Sequence, residues 1–137
     1  MAFPINLSPT YFWPVELKLQ MGGETNVGRL RSYSFEAEFR RISQTRRDEI
    51  IRQVIIGSKL LNGETIDESR LESMMTAKAL ADEVWVGWRK VLDGEGPDAS
   101  EVPFSEAQKQ ELLEIEHVAD AVVLAWYNST PGAKLKN

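Results

Sequence analysis

The chain has 137 residues, of which 42% are hydrophobic and 27% are charged, and its formal net charge at pH 7 is −5. This length and composition predict a folded domain with a single core and exclude a chain that is disordered throughout. The chain contains no cysteine, which excludes disulfides, thiolate metal sites and thiol nucleophiles. It begins without a signal-peptide pattern, and no stretch approaches the ~20 apolar residues of a membrane span, so we expect a cytoplasmic protein.

Charge is distributed unevenly along the sequence. Between Arg29 and Arg52, seven arginines and four acids give a local net charge of +3, whereas between Asp93 and Asp120 nine acids and one lysine give −8. Two solvated faces would explain this pattern most simply. Because complementary charge orients association, the pattern also allows contact with a charged partner, including a second copy of the chain.

The first part of the chain contains two alternating segments. Residues 11–20 and 33–40 alternate apolar and polar side chains and predict two strands, joined by a glycine-rich connector into an antiparallel hairpin. Pro14 cannot donate to a strand ladder, so it is expected at a strand start or on an edge strand. A hairpin alone is marginally stable, so its apolar face must pack on helices or on another chain. The residues of that face are Val15, Leu17, Leu19, Tyr33, Phe35 and Phe39.

Two helices are predicted after the hairpin. Thr45 with Asp48 fits the cap of a first helix that ends near Gly57, and its apolar positions are Ile50, Ile51, Val54 and Ile55. A second, longer helix is predicted from Asp67 to Leu92. Its apolar stripe consists of Leu71, Met74, Met75, Ala81, Val84, Trp85, Trp88 and Val91. Gly87 is unfavourable inside a helix, so it either allows another backbone to approach or ends the helix early, and we favour the first explanation.

A loop and two further helices complete the prediction. Asp93–Glu101 has loop composition, and Ser105 with Gln108 fits the cap of a third helix whose inward residues are Leu112, Leu113 and Ile115. A fourth helix is predicted over Val118–Asn128. The sequence therefore predicts an α+β fold, mostly α, in which an antiparallel β-hairpin is followed by four helices. We expect one domain over residues 1–128 and a flexible C-terminal tail over 129–137.

Residues that could support catalysis are scarce. His117 is the only histidine, and we expect a surface or helix-end position for it. The acidic loop has Pro97 at the fifth position and Asp98 at the sixth, where a calcium-binding EF-hand loop needs an acidic or amide ligand and a glycine. No nucleophile elbow, phosphate loop or dinucleotide fingerprint is present. We therefore expect no catalytic residue, no metal site and no cofactor.

Several short motifs occur in a characteristic order. They are the segment Ser34–Ser43, the Gly-Trp pair within Val84–Asp93, the acidic glycine loop, Val102–Ser105, and Val118–Val122 followed by Trp126–Tyr127. In this order and spacing the chain resembles the tail assembly chaperones of long-tailed bacteriophages. The similarity covers most of residues 33–127, whereas Trp13-Pro14 and the long first strand depart from the family pattern, which leaves the N-terminal segment 1–14 without an implied role.

The resemblance implies a non-catalytic role in tail assembly. A protein of this family, encoded by a phage or prophage, holds the tape-measure protein in the cytoplasm of the bacterial host. It recruits tail-tube subunits and is absent from the mature virion. The resemblance also implies a longer form of the chain made by programmed frameshifting, and homo-oligomers are compatible with the uneven charge.

The expected contact surface for a partner is the hairpin, with its free strand edge, together with exposed parts of the long helix. Partner-binding residues are expected among aromatic and basic side chains. The candidates are Tyr11, Trp13, Arg40, Arg41, Trp85, Trp88, Phe104 and Trp126. The alternative function is that of a nucleic-acid-binding or regulatory phage protein that uses the basic segment Arg29–Arg52. The net negative charge, together with the aromatics that alternate into the predicted core, favours the chaperone over this alternative.

Overall fold

The structure is a computed structural model, and it describes residues 2–61, 63, 75–94 and 96–130. Within these described ranges the fold is α+β, as predicted, with a leading hairpin and four helices; the predicted predominance of helix is not confirmed. In chain order the elements are β1 (Thr10–Gln20), a single 3-10 turn (Glu24–Asn26), β2 (Leu30–Arg40), α1 (Gln44–Leu61), α2 (Ala77–Val84), β3 (Trp85–Arg89), β4 (Leu92–Asp93), β5 (Ser100–Glu101), α3 (Glu106–Leu113) and α4 (Val118–Asn128).

The predicted hairpin is confirmed. β1 and β2 pair antiparallel without a break from Thr10 opposite Arg40 to Gln20 opposite Leu30. β2 is the central strand of a sheet with the order β1-β2-β3, so Pro14 lies on an edge strand, where its missing N–H is tolerated. Val15 and Phe39 are fully buried on the inner face, but Tyr33 is 40% exposed. The prediction of a buried Tyr33 is therefore wrong, because the inner face is covered only near the Thr10 end of the hairpin.

The predicted second helix is wrong over its last part and at Met75 and Thr76, because α2 begins at Ala77 with the extended Thr76 as its cap. α2 ends at Val84, and Trp85 takes an extended conformation that begins β3, which pairs antiparallel with β2. The register shifts between Glu38 and Phe39, so β3 contains a bulge. A regular strand would send Trp85 and Trp88 to opposite faces, and the bulge lets both enter the core.

Gly87 has a packing role in a strand and not in a helix. It pairs with Glu38 of β2, and a Cβ atom added to Gly87 would collide with the Glu38 carboxylate and lie 3.2 Å from Glu38 Cβ. The sequence predicted that another backbone approaches Gly87, but its close neighbour is a side chain of the adjacent strand.

A buried lysine lies where α2 changes into β3. Lys109 of α3 is 3% exposed, and its Nζ donates to the backbone oxygens of Asp82 at 3.2 Å and Trp85 at 3.0 Å. These carbonyl groups belong to the last turn of α2 and to the first residue of β3, where helical partners end. The ammonium group therefore stabilises the end of the helix and the turn into the strand.

The ends of the other helices agree in part with the predictions. Ser43, and not Thr45, caps α1, because its Oγ accepts from the N–H of Arg46 at 3.1 Å, and α1 continues through Gly57. Ser105 Oγ accepts from the N–H of Gln108 at 3.2 Å, as predicted. The bounds of α4 are those predicted, whereas Ile115 is 44% exposed and not inward-facing.

The core lies between the inner face of the sheet and the helices. α4 packs against β1 and α2, and α3 closes one end. The buried apolar residues are Val15, Ala37, Phe39, Ile50, Leu80, Ala81, Val84, Trp85, Trp88, Leu113, Val118, Val122, Ala125 and Trp126. The predicted inward side chains of Ile55, Leu71 and Met74, and the tail over 131–137, lie outside the described residues.

Candidate partner-binding surfaces

Three of the candidate binding residues form one aromatic cluster in and beside the core. Trp85 is fully buried, Trp88 is 7% exposed, and their rings lie 5.6 Å apart. Phe104 is half-buried and packs edge-on against Trp88 at 4.8 Å. Trp85 and Trp88 therefore offer almost no surface to a partner, and the main role of this cluster is to hold the fold together.

The motifs that carry the family resemblance interlock around this cluster. Trp88 Nε1 donates to the backbone oxygen of Val102 at 2.8 Å, and Val102 N–H donates to the oxygen of Val91 at 2.7 Å. β4 and β5 form a small ladder that carries the acidic loop, and Ser105 then starts α3. The Gly-Trp pair, the acidic loop and the Pro-Phe-Ser segment are thus parts of a single structural unit.

Other candidate residues converge on a cleft at the end of the sheet where β1 begins and β2 ends. We call it the basic cleft; it encloses about 580 Å³ and is lined by Leu7, Tyr11, Phe12, Trp13, Arg40, Arg41, Ile42, Arg47, Trp126, Ser129 and Thr130. Five of the eight predicted binding residues are in this set. Trp126 is only 3% exposed, so it contributes the floor and not the rim.

The arginines of the basic cleft are held by neutral groups. Arg41 Nε donates to the backbone oxygen of Ser8 at 2.8 Å, and its guanidinium lies 5.0 Å from the centre of the Tyr11 ring. Arg47 Nη2 lies 3.4 Å from Thr130 Oγ1, a long hydrogen bond. Tyr11 Oη is 2.7 Å from Ser129 Oγ. Ser129 and Thr130, the first two residues of the predicted tail, therefore help to build the cleft.

Arg46, outside the basic cleft, and Arg40, which lines it, both contact Glu83. Arg46 forms a two-pronged ion pair with Glu83, with Nε 2.7 Å from Oε2, and a second pair with Glu49 at 3.0 Å. The pairing with Arg46 lowers the pKa of the Glu83 carboxyl. Arg40 donates to the backbone oxygen of Glu83 at 2.9 Å. Arg46 is therefore neutralised, and the basic segment is less available than its sequence indicates.

A second concave surface lies under the connector half of the hairpin. We call it the hairpin groove; it encloses about 440 Å³, and its lining includes Leu17, Leu19, Arg31, Ser32, Tyr33, Ser34, Phe35, Lys90, Val91, Leu92, Gly94, Gly96, Leu112, Ile115 and Val118. Leu92 is 54% exposed, although it is apolar. None of the eight predicted binding residues lies here. The exposure of Tyr33, Leu92 and Ile115 depends on the end of β3, which the sequence pattern did not reveal.

The hairpin groove adjoins an open strand edge. β3 pairs with β2 only from Glu36 to Phe39. In the part of the chain that the structure describes, residues 30–35 of β2 therefore have β1 on one side and no strand on the other. A strand of another chain can pair along such an edge, and apolar side chains line the surface beside it.

The described residues of the acidic loop have tight-loop geometry, and His117 lies at a helix end. Gly94 and Gly96 have positive φ angles of 89° and 87°, as expected for a tight loop. His117 precedes α4 with a φ of 77° and is exposed, as predicted for a helix-end position. Among the residues that the structure describes, no group of histidines and acids could hold a metal ion.

The described helices and the comparisons with known proteins add little about function. No helix in the described ranges is both long enough and apolar enough to cross a membrane. Comparisons with protein-family models, with curated proteins and with solved structures give no match.

Proposed function

We propose that this chain is a phage tail assembly chaperone that holds the tape-measure protein through the hairpin groove. The observation that carries the proposal is an exposed apolar groove beside an open strand edge, in a chain whose motifs follow the order of that family. Exposed apolar surface of this kind marks a partner site in a folded protein. Its role would be to cover apolar segments of the tape-measure protein until tail-tube subunits enclose them.

The position of the groove fits a binding role that leaves the core intact. Tyr33, Leu92 and Ile115 are all at least 40% exposed, so a partner can cover them without opening the fold. Burial of apolar surface contributes roughly 25 cal/mol per Å². A few such side chains give a contact that is strong enough to prevent aggregation and weak enough to be replaced later in assembly.

We further propose that the chain acts in the host cytoplasm and binds tail-tube protein as a second partner. It would leave before the virion is complete. The proposal also includes a longer frameshifted form. In such a form the additional chain would follow α4, whose end lies beside the basic cleft. The hairpin groove lies at the other end of the sheet, so both forms could bind the tape-measure protein in the same way.

Co-expression with the tape-measure protein of the same gene cluster tests this function. The wild-type chain should raise the soluble yield of the tape-measure protein and co-purify with it. A groove variant that combines Leu92→Lys with Ile115→Lys should fold but lose both effects, because charge enters an apolar contact. If the wild-type chain neither solubilises nor co-purifies with the tape-measure protein, the proposal is wrong.

A matched control separates the groove from a general effect of added charge. Val54 and Leu124 are 44% and 60% exposed and line a different apolar surface, between α1 and α4. The double variant Val54→Lys with Leu124→Lys adds the same charge and should retain solubilisation. Equal loss in both double variants would show that the hairpin groove is not the binding surface.

A further inference from the structure

The basic cleft differs chemically from the hairpin groove, and the chaperone proposal does not use it. Arg41 and Arg47 each form one hydrogen bond to a neutral acceptor. A guanidinium group has five N–H donors, so each keeps donors for a ligand. Within the described ranges, neither arginine lies at ion-pair distance from a carboxylate, whereas nearby Arg46 pairs with two. In a chain of net charge −5, two unpaired guanidinium groups in one cleft are a positive site without its counter-charge.

The guanidinium of Arg41 is already held in place before any ligand binds. It is fixed between the Ser8 carbonyl and the Tyr11 ring, and that ring is fixed in turn by Ser129 at 2.7 Å. Two neutral contacts therefore orient a charged group without neutralising it. Preorganised guanidinium groups bind carboxylates with little loss of side-chain entropy.

The floor of the cleft is apolar. Trp13, Ile42 and the buried Trp126 line the same volume of about 580 Å³ as the arginines, and Leu7, which is 48% exposed, adds apolar surface to it. Such a volume accepts one or two large apolar side chains, while the polar groups at the rim fix their orientation. The ligand that matches both features carries an apolar side chain with carboxylates next to it.

We propose that the basic cleft binds a short acidic peptide segment of a partner protein, in which Asp or Glu residues flank an apolar or aromatic anchor. Charge complementarity argues for this ligand: the carboxylates would pair with Arg41 and Arg47, and the anchor would enter the apolar floor. The cleft and the hairpin groove lie at opposite ends of the sheet, so both can be occupied together.

Nucleic acid fits the cleft less well than an acidic peptide. Arg46 is neutralised by Glu49 and Glu83, which leaves too few charges for a phosphate backbone in an acidic chain. The rings are also occupied, because Arg41 covers Tyr11 and Trp126 is buried, so neither presents the open face that base stacking requires.

Peptide selection on the full chain tests the proposal. A library of random 12-residue peptides is selected on the wild-type protein and counter-selected on the variant Arg41→Gln with Arg47→Gln. The selected peptides should share Asp or Glu next to a large apolar residue. A selection that yields no peptides, or peptides without acids, overturns the proposal.

Affinity measurements on one selected peptide then test the mechanism. Loss of a charge-assisted hydrogen bond should weaken binding about tenfold for Arg41→Gln and for Arg47→Gln, and for the peptide with its acids changed to amides. Arg29→Gln removes the same charge near the connector of the hairpin and should change affinity less than about twofold. Equal weakening by Arg29→Gln would mean that only net charge matters and would overturn the site.

Two further probes identify other occupants of the cleft. Binding of 20-nucleotide oligothymidine or oligouridine more tightly than the peptide, with the same dependence on Arg41, would assign the cleft to nucleic acid. Self-association in sedimentation experiments that Arg41→Gln abolishes would assign it to a second copy of the chain. Either result overturns the acidic peptide, and the absence of both, with selection positive, supports it.

Discussion

Replacing Lys109 by methionine tests how the fold turns from helix to strand. Lys109 is 3% exposed, and its ammonium group contacts the backbone oxygens of Asp82 and Trp85 and the carboxylates of Asp82 and Glu106. Methionine fills a similar volume but donates no hydrogen bond. The substitution therefore leaves two carbonyl groups without their charged donor while the packing stays nearly unchanged.

The expected cost follows from these contacts. Hydrogen bonds to a charged group contribute about 1.5–3 kcal/mol each, and one of the two is long at 3.2 Å. The two carboxylates are about half exposed or more, so each ion pair adds about 0–1 kcal/mol. Methionine avoids the desolvation of a buried ammonium group, which offsets part of the loss. We expect the free energy of unfolding to fall by about 2–3 kcal/mol.

Urea unfolding followed by tryptophan fluorescence measures this change, because the chain contains four tryptophans. Lys78→Met is the matched control: it removes the same charge from a surface pair with Glu114, whose side chain is 69% exposed. The control should cost less than about 0.5 kcal/mol. If Lys109→Met lies within about 1 kcal/mol of Lys78→Met, the buried ammonium does not stabilise the turn from α2 to β3.

Two further predictions concern the tryptophans and the pH dependence of stability. Trp88→Phe should cost about 1–2 kcal/mol more than Trp85→Phe in urea unfolding, because only Trp88 Nε1 has a hydrogen-bond partner among the described residues; equal costs would contradict this. Arg46 lowers the pKa of Glu83 below its ordinary 4.5. The contribution of this pair to stability is therefore complete above about pH 4.5 and is lost as pH falls through the folded-state pKa. Arg46→Gln should flatten the stability profile between about pH 5 and 3, and an unchanged slope would show that the pair contributes nothing.

The sequence correctly predicts an element where its residue pattern fits only one kind of secondary structure. Alternation fixes β1 and β2, and the apolar spacing of α4 gives its bounds as the structure has them. The cap at Ser105 is predictable because the hydroxyl and the residue that it caps are three positions apart. In these segments the local preference and the tertiary environment agree.

β3 is different because its pattern has two interpretations. The three-residue spacing of Trp85 and Trp88 matches one face of a helix, and a bulged strand produces the same burial. Only the pairing with β2 decides between them, and that pairing is a contact between distant parts of the chain. The burial of Lys109 is equally hidden, because a lysine is normally solvated unless tertiary contacts supply acceptors.

The candidate surfaces could also be predicted only in part, because residue types are visible in the sequence and tertiary contacts are not. Tyr11, Arg41 and Trp126 could be named from their residue types, but their meeting in one cleft depends on the contact of α4 with β1. The sequence indicated the hairpin as a contact surface but not this groove, because the exposure of Leu92 and Ile115 results from the early end of β3 and the position of α3. Residue type therefore indicates binding chemistry, and only the fold shows which side chains act together.

Hydrogen–deuterium exchange with and without the tape-measure protein measures binding at the hairpin groove most directly. Protection should increase along residues 30–35 of β2 and around Leu92, because a bound segment would cover the open edge and the apolar surface beside it. The basic cleft near Arg41 should change little when this partner alone is added. Unchanged exchange along residues 30–35 and at Leu92, or protection confined to the basic cleft, would contradict tape-measure binding through the hairpin groove.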